Sequence, residues 1–553
     1  GDNNVAVGDG SLGANTTADN NTAVGKSALA ANTTGNSLVA VGTNALAANT
    51  TASYNTAVGF SALNANTTGT PNTAVGYFAL DSNTTAANNT AVGYDALTAA
   101  TTGGANTGLG HNCGKGITTA TGNTAVGAYS NDAANTGNDN TSVGYYSLSA
   151  NTSGTRNAAL GTSCLGANTT GSDNVAIGHN TLDANTTASN NVAIGKDALG
   201  AATTGANNTA VGYGTLDALT TVSGITAIGY NAMTASTGAL ECVAVGAYAL
   251  DATTTGGYNT AVGYLALSAN TTGSRNTAIG WGANRLGTTG AHNTAIGDAC
   301  MYQNNVTGSG NTGVGRESLH YVIGSNNTAV GYQAGFAVTT GDQNTAVGTY
   351  SQDSVTTGEK NTAIGYQAGH ITTDGARNTC LGNLATTGAS NNDAISVGYN
   401  VAGTTDGRVT FGSGSTTVYI QLDGSGVAWT ATSDSRLKTN VSDFDTGLSF
   451  VNSLNPISFN WKQKKDVDSS LTTEYVEGSE EYVRGVTGEQ KTYIGFLAQD
   501  VKTLVDSSSL PDGAQLWNQD ENGIQGLAEG ALIPMLVNAI QELSAKVEDL
   551  ENN

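Results

Sequence analysis

The sequence predicts a mainly β protein: a parallel β-solenoid or β-roll shaft of 17-residue coils, homotrimeric, followed by a small α+β domain that ends in a coiled-coil helix. Three observations lead there. The motif Asn-Thr-Ala-Val-Gly recurs with its Gly at position 8 and at every seventeenth residue up to Gly297, then at Gly315, Gly331, Gly348, Gly365, Gly382 and Gly398, which makes 24 units. Self-similarity at a fixed period is the signature of a stacked array rather than of separate globular cores. The composition is equally biased, with 75 Gly, 4 Pro and only 11% charged residues among 553, unlike an ordinary multi-domain enzyme. Finally, residues 433–553 carry 20 acidic and 9 basic side chains against 22 and 10 in the 432 residues before them. That step in charge density marks a boundary. The chain divides into a repeat shaft (1–408), a strand-rich linker (409–432) and a C-terminal domain (433–553).

Within one unit, such as Asn72 to Asn88, Thr-Ala-Val and the segment around Ala79-Leu80 are short and small, and each leads into Gly or Asn-Thr-Thr turn chemistry. Two short strands per coil are expected, since 17 residues cannot hold two helices of usual length and the fixed Gly weakens helix further. Stacking 24 coils at roughly 4.8 Å gives a rod of about 115 Å. The large core residues of each coil are read as one Val or Ile (Val75, Val92, Ile177) and one Leu (Leu80, Leu97, Leu182). At about 25 cal/mol per Å² of buried apolar surface, two medium side chains barely offset the ordering of 17 residues. A second buried face is needed, and a parallel homotrimer supplies it. The Asn four residues before the motif Gly (Asn55, Asn72, Asn89, Asn106, Asn123, Asn140) is expected to form a rung-to-rung hydrogen-bonded ladder.

Several functions are disfavoured. The formal net charge of −23 argues against nucleic-acid binding, which needs clustered Lys and Arg. No apolar run of about 18 residues and no signal-like opening occurs, so neither a membrane span nor a leader is expected. The repeat is already under way at Gly1, and the chain is read as a fragment or processed product with its attachment region outside it. Cys113, Cys164 and Cys300 sit three residues after a motif Gly, Cys242 replaces a motif Asn and Cys380 a motif Ala, so they read as small wall fillers. Cys113 and Cys164 lie three rungs, about 14 Å, apart, too far for a disulfide. His111, His179, His292, His320 and His370 show no ligand spacing and read as surface residues. No metal or cofactor is expected. Asn-Thr-Thr, as at Asn32 and Asn49, matches a glycosylation sequon but is read as turn chemistry. A Thr-based ice-binding face is disfavoured because adjacent Thr residues in a strand face opposite ways.

The residue after the motif Gly is often aromatic, as at Tyr77, Tyr94 and Trp281. Such rings are candidate contacts for a receptor sugar. The alternative is a column packed on itself or across a trimer seam. The repeat resembles the head repeats of trimeric autotransporter adhesins and similar repeats in bacteriophage tail fibres, which implies a trimeric parallel β-roll over residues 1–412.

The boundary segment Ser433-Asp434-Ser435-Arg436-Leu437-Lys438-Thr439-Asn440-Val441, together with Leu454 to Lys462 and Ile494 to Val501, resembles the intramolecular chaperone domain of endosialidases, tail spikes and tail fibres. The resemblance implies self-cleavage: Ser433 attacks the carbonyl of Thr432 while Lys438 takes its proton, and the bond Thr432-Ser433 is cut. Asp434 and Arg436 match the motif and hold its geometry. The chemistry is sound, since a Ser hydroxyl is a poor nucleophile until a base accepts its proton, and burial lowers a Lys pKa enough for that role. Outside that motif, Ser and Lys at this spacing are also what a capping Ser beside a surface Lys looks like. No external substrate is expected. At the end of the chain Ile533, Leu536, Ile540, Leu543, Val547 and Leu550 repeat at steps of 3 and 4, an apolar heptad seam. It points to self-association, with a core helix inside one subunit as the alternative.

The expected protein is therefore a virion fibre or spike component, extracellular, whose partners are two copies of itself, a host-surface glycan or protein, and other tail proteins. A bacterial surface adhesin and a polysaccharide-degrading tail spike are the rivals. The first is disfavoured by the absence of a C-terminal membrane barrel. The second is disfavoured because no paired carboxylates sit in a non-repeating insertion.

Overall fold

Strand pairing in the computed structural model follows the 17-residue period. The structure describes residues 1–303, 306–421, 429–431, 444, 446–467, 492–508, 510, 516–519 and 525–552, in two compact units, Gly1–Thr432 and Ser433–Asn553. In the first, three-residue strands succeed one another from Val5–Val7 through Thr379–Leu381 to the longer Ile395–Tyr399, 24 in all. Each pairs in parallel with the strand one coil on, as in Thr56↔Thr73, Ala57↔Ala74 and Val58↔Val75. Arg408–Ser413 extends the stack in parallel, and Thr416–Gln421 and Trp429–Ala431 then run back antiparallel. The shaft is thus a parallel β-solenoid.

Each coil holds one strand, not two. The Ala-Leu segment is a turn, with Leu63, Leu80 and Leu97 at φ of 52°, 51° and 51°. A left-handed residue ends a strand, and for a non-glycine it costs roughly 1–2 kcal/mol. What offsets it is position: the turn swings each of these leucines fully inside the coil. A second strand per coil appears only at the end of the stack, where Thr386–Thr387 pairs with Ala402–Gly403.

The strand faces the other way from the one expected. In Thr-Ala-Val it is the Ala that is buried, as at Ala74, Ala91 and Ala176, while Val75 and Ile177 point outward, each 37% exposed. Successive side chains alternate sides, and the interior opposite a turn Leu has room for a methyl group only. Gly108 stands where a motif Ala would, and even a Cβ there would lie 2.9 Å from Leu97 Cγ and 3.2 Å from Cys113 Sγ. Gly313 lies in the same way against Cys300, with a Cβ there 2.6 Å from the sulfur, whereas Cys164 fits beside Ala159 and Ala176. In another coil the same positions are polar, and the hydroxyls of Ser130, Ser142 and Ser147 bond one another at 2.7 and 3.0 Å. The five cysteines are buried free thiols, and burial pushes Cys113 and Cys164 up to about 12.

Asparagines close the backbone bookkeeping of the turns. Asn72 N–H donates to Asn55 Oδ1 at 2.8 Å, Asn72 Nδ2 donates to Ala86 O at 2.8 Å, and Asn89 N–H donates to Asn72 Oδ1 at 3.0 Å. The Asn of Asn-Thr-Thr builds a second, parallel ladder: Asn49 Nδ2 donates to Asn32 Oδ1 at 2.9 Å and Asn66 Nδ2 to Asn49 Oδ1 at 3.1 Å. These amides are fully buried, as turn chemistry requires, and are closed to a glycan. The second ladder stops at Ala100 and Ala202, and the oxygens of Asn83 and Asn185 below them have no hydrogen-bond partner. The motif Gly is required by close stacking: Gly59 has φ 138°, and a Cβ on it would lie 2.2 Å from the carbonyl oxygen of Gly76.

The second unit is α+β. Its helices are α1 (Leu448–Ser453), α2 (Ala498–Ser507) and α3 (Ile533–Glu551). Ile457–Phe459 pairs antiparallel with Tyr493–Gly495, and Trp517–Gln519 with Gln525–Leu527. Phe450, Val501, Leu516, Leu532 and Met535 form its buried core.

Candidate functional site

The shaft offers two outward features. The first and third residues of the strands, mostly Thr and Val or Ile, share the outer side, so that an apolar column, including Val75, Leu109, Leu160, Ile177, Ile228, Ile279 and Ile364, runs exposed along one flank. The second is a set of ring stacks. Tyr77 lies between Phe60 (centroids 5.2 Å apart, planes at 15°) and Tyr94 (5.1 Å, 3°), and Tyr94 between Tyr77 and His111 (5.2 Å, 11°). Both faces of these two candidate receptor tyrosines are therefore taken by neighbouring rungs, leaving edges and hydroxyls to solvent.

Trp281 belongs to a stack that shifts sideways. It packs on Tyr302 (5.2 Å), Tyr302 on His320 (5.7 Å) and His320 on Phe336 (5.0 Å). Tyr302 can reach because residue 282 is Gly, where a Cβ would lie 2.6 Å from its ring. His320 is half-buried rather than a plain surface residue; desolvation lowers its pKa while its Nδ1 sits 3.1 Å from Ala299 O. A third column went unread in the sequence although its phase shows it: Asp81, Asp132, Asp183, Asp217, Asp251 and Asp353 all fall five residues after the motif Gly. Each is partly buried by the wall, and burial raises each carboxyl above its ordinary value.

In the C-terminal unit, two segments quoted from the sequence come together. Leu454 to Lys462 and Ile494 to Val501 meet through the register Ile457↔Gly495, Ser458↔Ile494, Phe459↔Tyr493. Phe459 stacks on Tyr493 at 5.8 Å and meets Trp461 edge-on at 5.3 Å. Leu454 and Asn455 then line one groove with Phe496, Leu497, Asp500 and Leu504. Helix α3 is two-faced. Met535 and Ala539 are buried, and Asn538 Nδ2 donates to the carbonyls of Phe444 and Thr446. Gly447 lets α3 approach closely, since a Cβ there would lie 3.0 Å from Asn538 Cβ and 3.1 Å from Ala539 N. On the other face Ile533, Leu536, Ile540, Leu543, Val547 and Leu550 are between 42% and 78% exposed. A helix buried within one subunit would hide that seam; here it is bare.

Thr432, Ser433, Asp434, Arg436 and Lys438 lie outside the described residues. Their chemistry is approached through comparison. Residues 433–510 match the family described as chaperone of endosialidase. The matched stretch begins at Ser433 and takes in both paired segments, α1 and α2, and α3 follows it. No curated protein and no solved structure matches the chain.

Proposed function

We propose that this chain is the shaft and folding clamp of a trimeric virion fibre or spike, aligned by its C-terminal chaperone domain, which then cuts itself off between Thr432 and Ser433. The observation that carries the reading is the chaperone-of-endosialidase match at the end of a 24-turn solenoid. A clamp of this kind has a physical task here. Coils of one length present nearly equivalent faces every 17 residues, so three shafts slid by one coil against each other differ little in energy. A unique, non-repeating domain at one end removes that degeneracy. The bare apolar columns on the strand flank and on α3 supply the surfaces that three copies would bury against one another.

In the cleavage step the Ser433 hydroxyl adds to the Thr432 carbonyl carbon, and Lys438, neutral before the step, accepts its proton. The Ser433 amide nitrogen leaves protonated, and the resulting ester between Thr432 and the Ser433 side chain is opened by water. Assembly becomes hard to reverse once the clamp is gone. The remaining partners, a host-surface glycan or protein and further tail proteins, belong to the same reading.

The test is direct. Ser433→Ala and Lys438→Ala should each abolish a C-terminal fragment of 121 residues on denaturing gels, with the wild-type shaft running as three chains by solution mass. Persistence of the fragment in both variants would overturn the dyad; a wild-type shaft of single chains would overturn the trimer.

A further inference from the structure

We propose that the face-to-face tyrosines of successive coils, Tyr77 with Tyr94, Tyr129 with Tyr146 and Tyr213 with Tyr230, are sites of oxidative coupling. At these pairs a peroxidase–peroxide oxidant joins two rings by a carbon–carbon bond and staples one turn of the shaft to the next. The proposal does not depend on the number of chains in the assembly.

The geometry is that of a preassembled reactant pair. Tyr77 and Tyr94 have centroids 5.1 Å apart and planes at 3°; Tyr129 and Tyr146 are 4.9 Å apart at 11°, and Tyr213 and Tyr230 5.3 Å apart at 12°. Tyr77, Tyr94, Tyr213 and Tyr230 each follow a motif Gly and Tyr129 and Tyr146 come one residue later, so the two rings of each pair occupy equal positions in coils whose strands pair in register. Tyr77, Tyr94, Tyr213 and Tyr230 are 42%, 49%, 44% and 48% exposed and Tyr146 is 39% exposed, enough for an oxidant to reach the edges. Their neighbours restrict the product. Phe60 and His111 cap the first pair, so within that stack each phenol has one phenolic neighbour. Below Tyr213 lies the Lys196 ammonium, 5.2 Å from the centroid, and Tyr248 meets Tyr230 edge-on at 70°.

The step balances as follows. Each phenol gives up one electron and its hydroxyl proton, and the two radicals combine at their ortho carbons. The hydrogens displaced from those carbons move to the two oxygens as the rings regain aromaticity. Hydrogen peroxide takes the two electrons and two protons and leaves as two waters, and the chain loses two hydrogen atoms per link. Radicals held one rung apart meet far more often than radicals on separate chains.

Exposure alone predicts a different outcome. Tyr54 and Tyr399 are 69% and 57% exposed, yet the same positions in adjacent coils hold Ser37 and Pro71, and Asn383 and Ser413. The experiment treats dilute full-length protein with peroxidase and hydrogen peroxide, follows dityrosine fluorescence, and maps linked peptides by mass. The expected links are 77–94, 129–146 and 213–230 within one chain, at least about tenfold more abundant than in the urea-unfolded chain. Tyr77→Phe, which keeps the ring stack, should delete the first link and leave the other two. Links mapped chiefly to Tyr54 or Tyr399, equal yields in the unfolded chain, or no dityrosine at all would each overturn the proposal.

Discussion

The two units of this chain solve the problem of burial in opposite ways. In the shaft, almost every stabilising contact joins a residue to its counterpart one coil away, and Leu is the one large side chain that each coil regularly hides. In the C-terminal unit the core is assembled once, from distant segments: Asn538 on α3 holds the carbonyls of Phe444 and Thr446, more than ninety residues earlier. Periodicity makes a long structure from little information, and for the same reason it cannot say which coil of one chain belongs beside which coil of another. A non-repeating unit can.

The largest effect should come from breaking the non-repeating apolar surface of the second unit. Ile540→Asp with Leu543→Asp places two charges on the bare seam of α3 while Met535 and Ala539 stay packed. Solution mass should fall to one chain, with helix content by circular dichroism unchanged. An assembly that survives would transfer the alignment role to the shaft itself. Next in size, Leu63→Ala empties the one large interior position of its coil and should cost about 3 kcal/mol, whereas Val58→Ala on the outer side of the same coil should cost under about 1 kcal/mol in the isolated shaft. Hydrogen exchange of the flanking rungs distinguishes the two, and equal costs would mean that the strand had been placed the wrong way round.

Asn72→Ala removes the ladder bonds to Ala86 O and from Asn89 N–H, leaving both buried backbone groups unpaired, and should cost about 2 kcal/mol, read in the same exchange experiment. The smallest effect is electrostatic. Burial raises the Asp183 carboxyl above its ordinary 3.8, so the folded shaft holds that proton more tightly than the unfolded chain. Stability therefore rises as pH falls through the folded value and levels off below 3.8. Asp183→Asn should raise the melting temperature at neutral pH and lose that advantage in acid. Asp173, held below its usual range by Arg156, runs the opposite way and contributes stability that acid removes. An Asp183→Asn advantage that persists at low pH would point to packing instead of charge.

Much of this was legible before any coordinates. The coil period, the parallel stack, the Asn ladder at Asn55 and Asn72, the cysteines as wall fillers and the boundary near Ser433 all show in phase and composition, because in a solenoid the same side chain meets the same neighbour every 17 residues. The misreadings have one origin. Hydrophobicity assigned Val75 to the core and Ala74 to the wall, and β-propensity assigned a strand to Ala79-Leu80, but both depend on the size of a cavity that is not written in any single residue.

By itself, then, the sequence determined the repeat, its rung spacing, the polar ladders in its turns, and an apolar seam at the chain's end. Tertiary structure decided which side of Thr-Ala-Val faces inward, that the leucines enter from left-handed turns, that the rings of Tyr77 and Tyr94 spend their faces on one another, and that the seam of α3 is left bare. Alternation along a strand says only that two residues lie on opposite sides. The space left by the rest of the coil, here the width of a methyl group opposite a leucine, says which of them is inside.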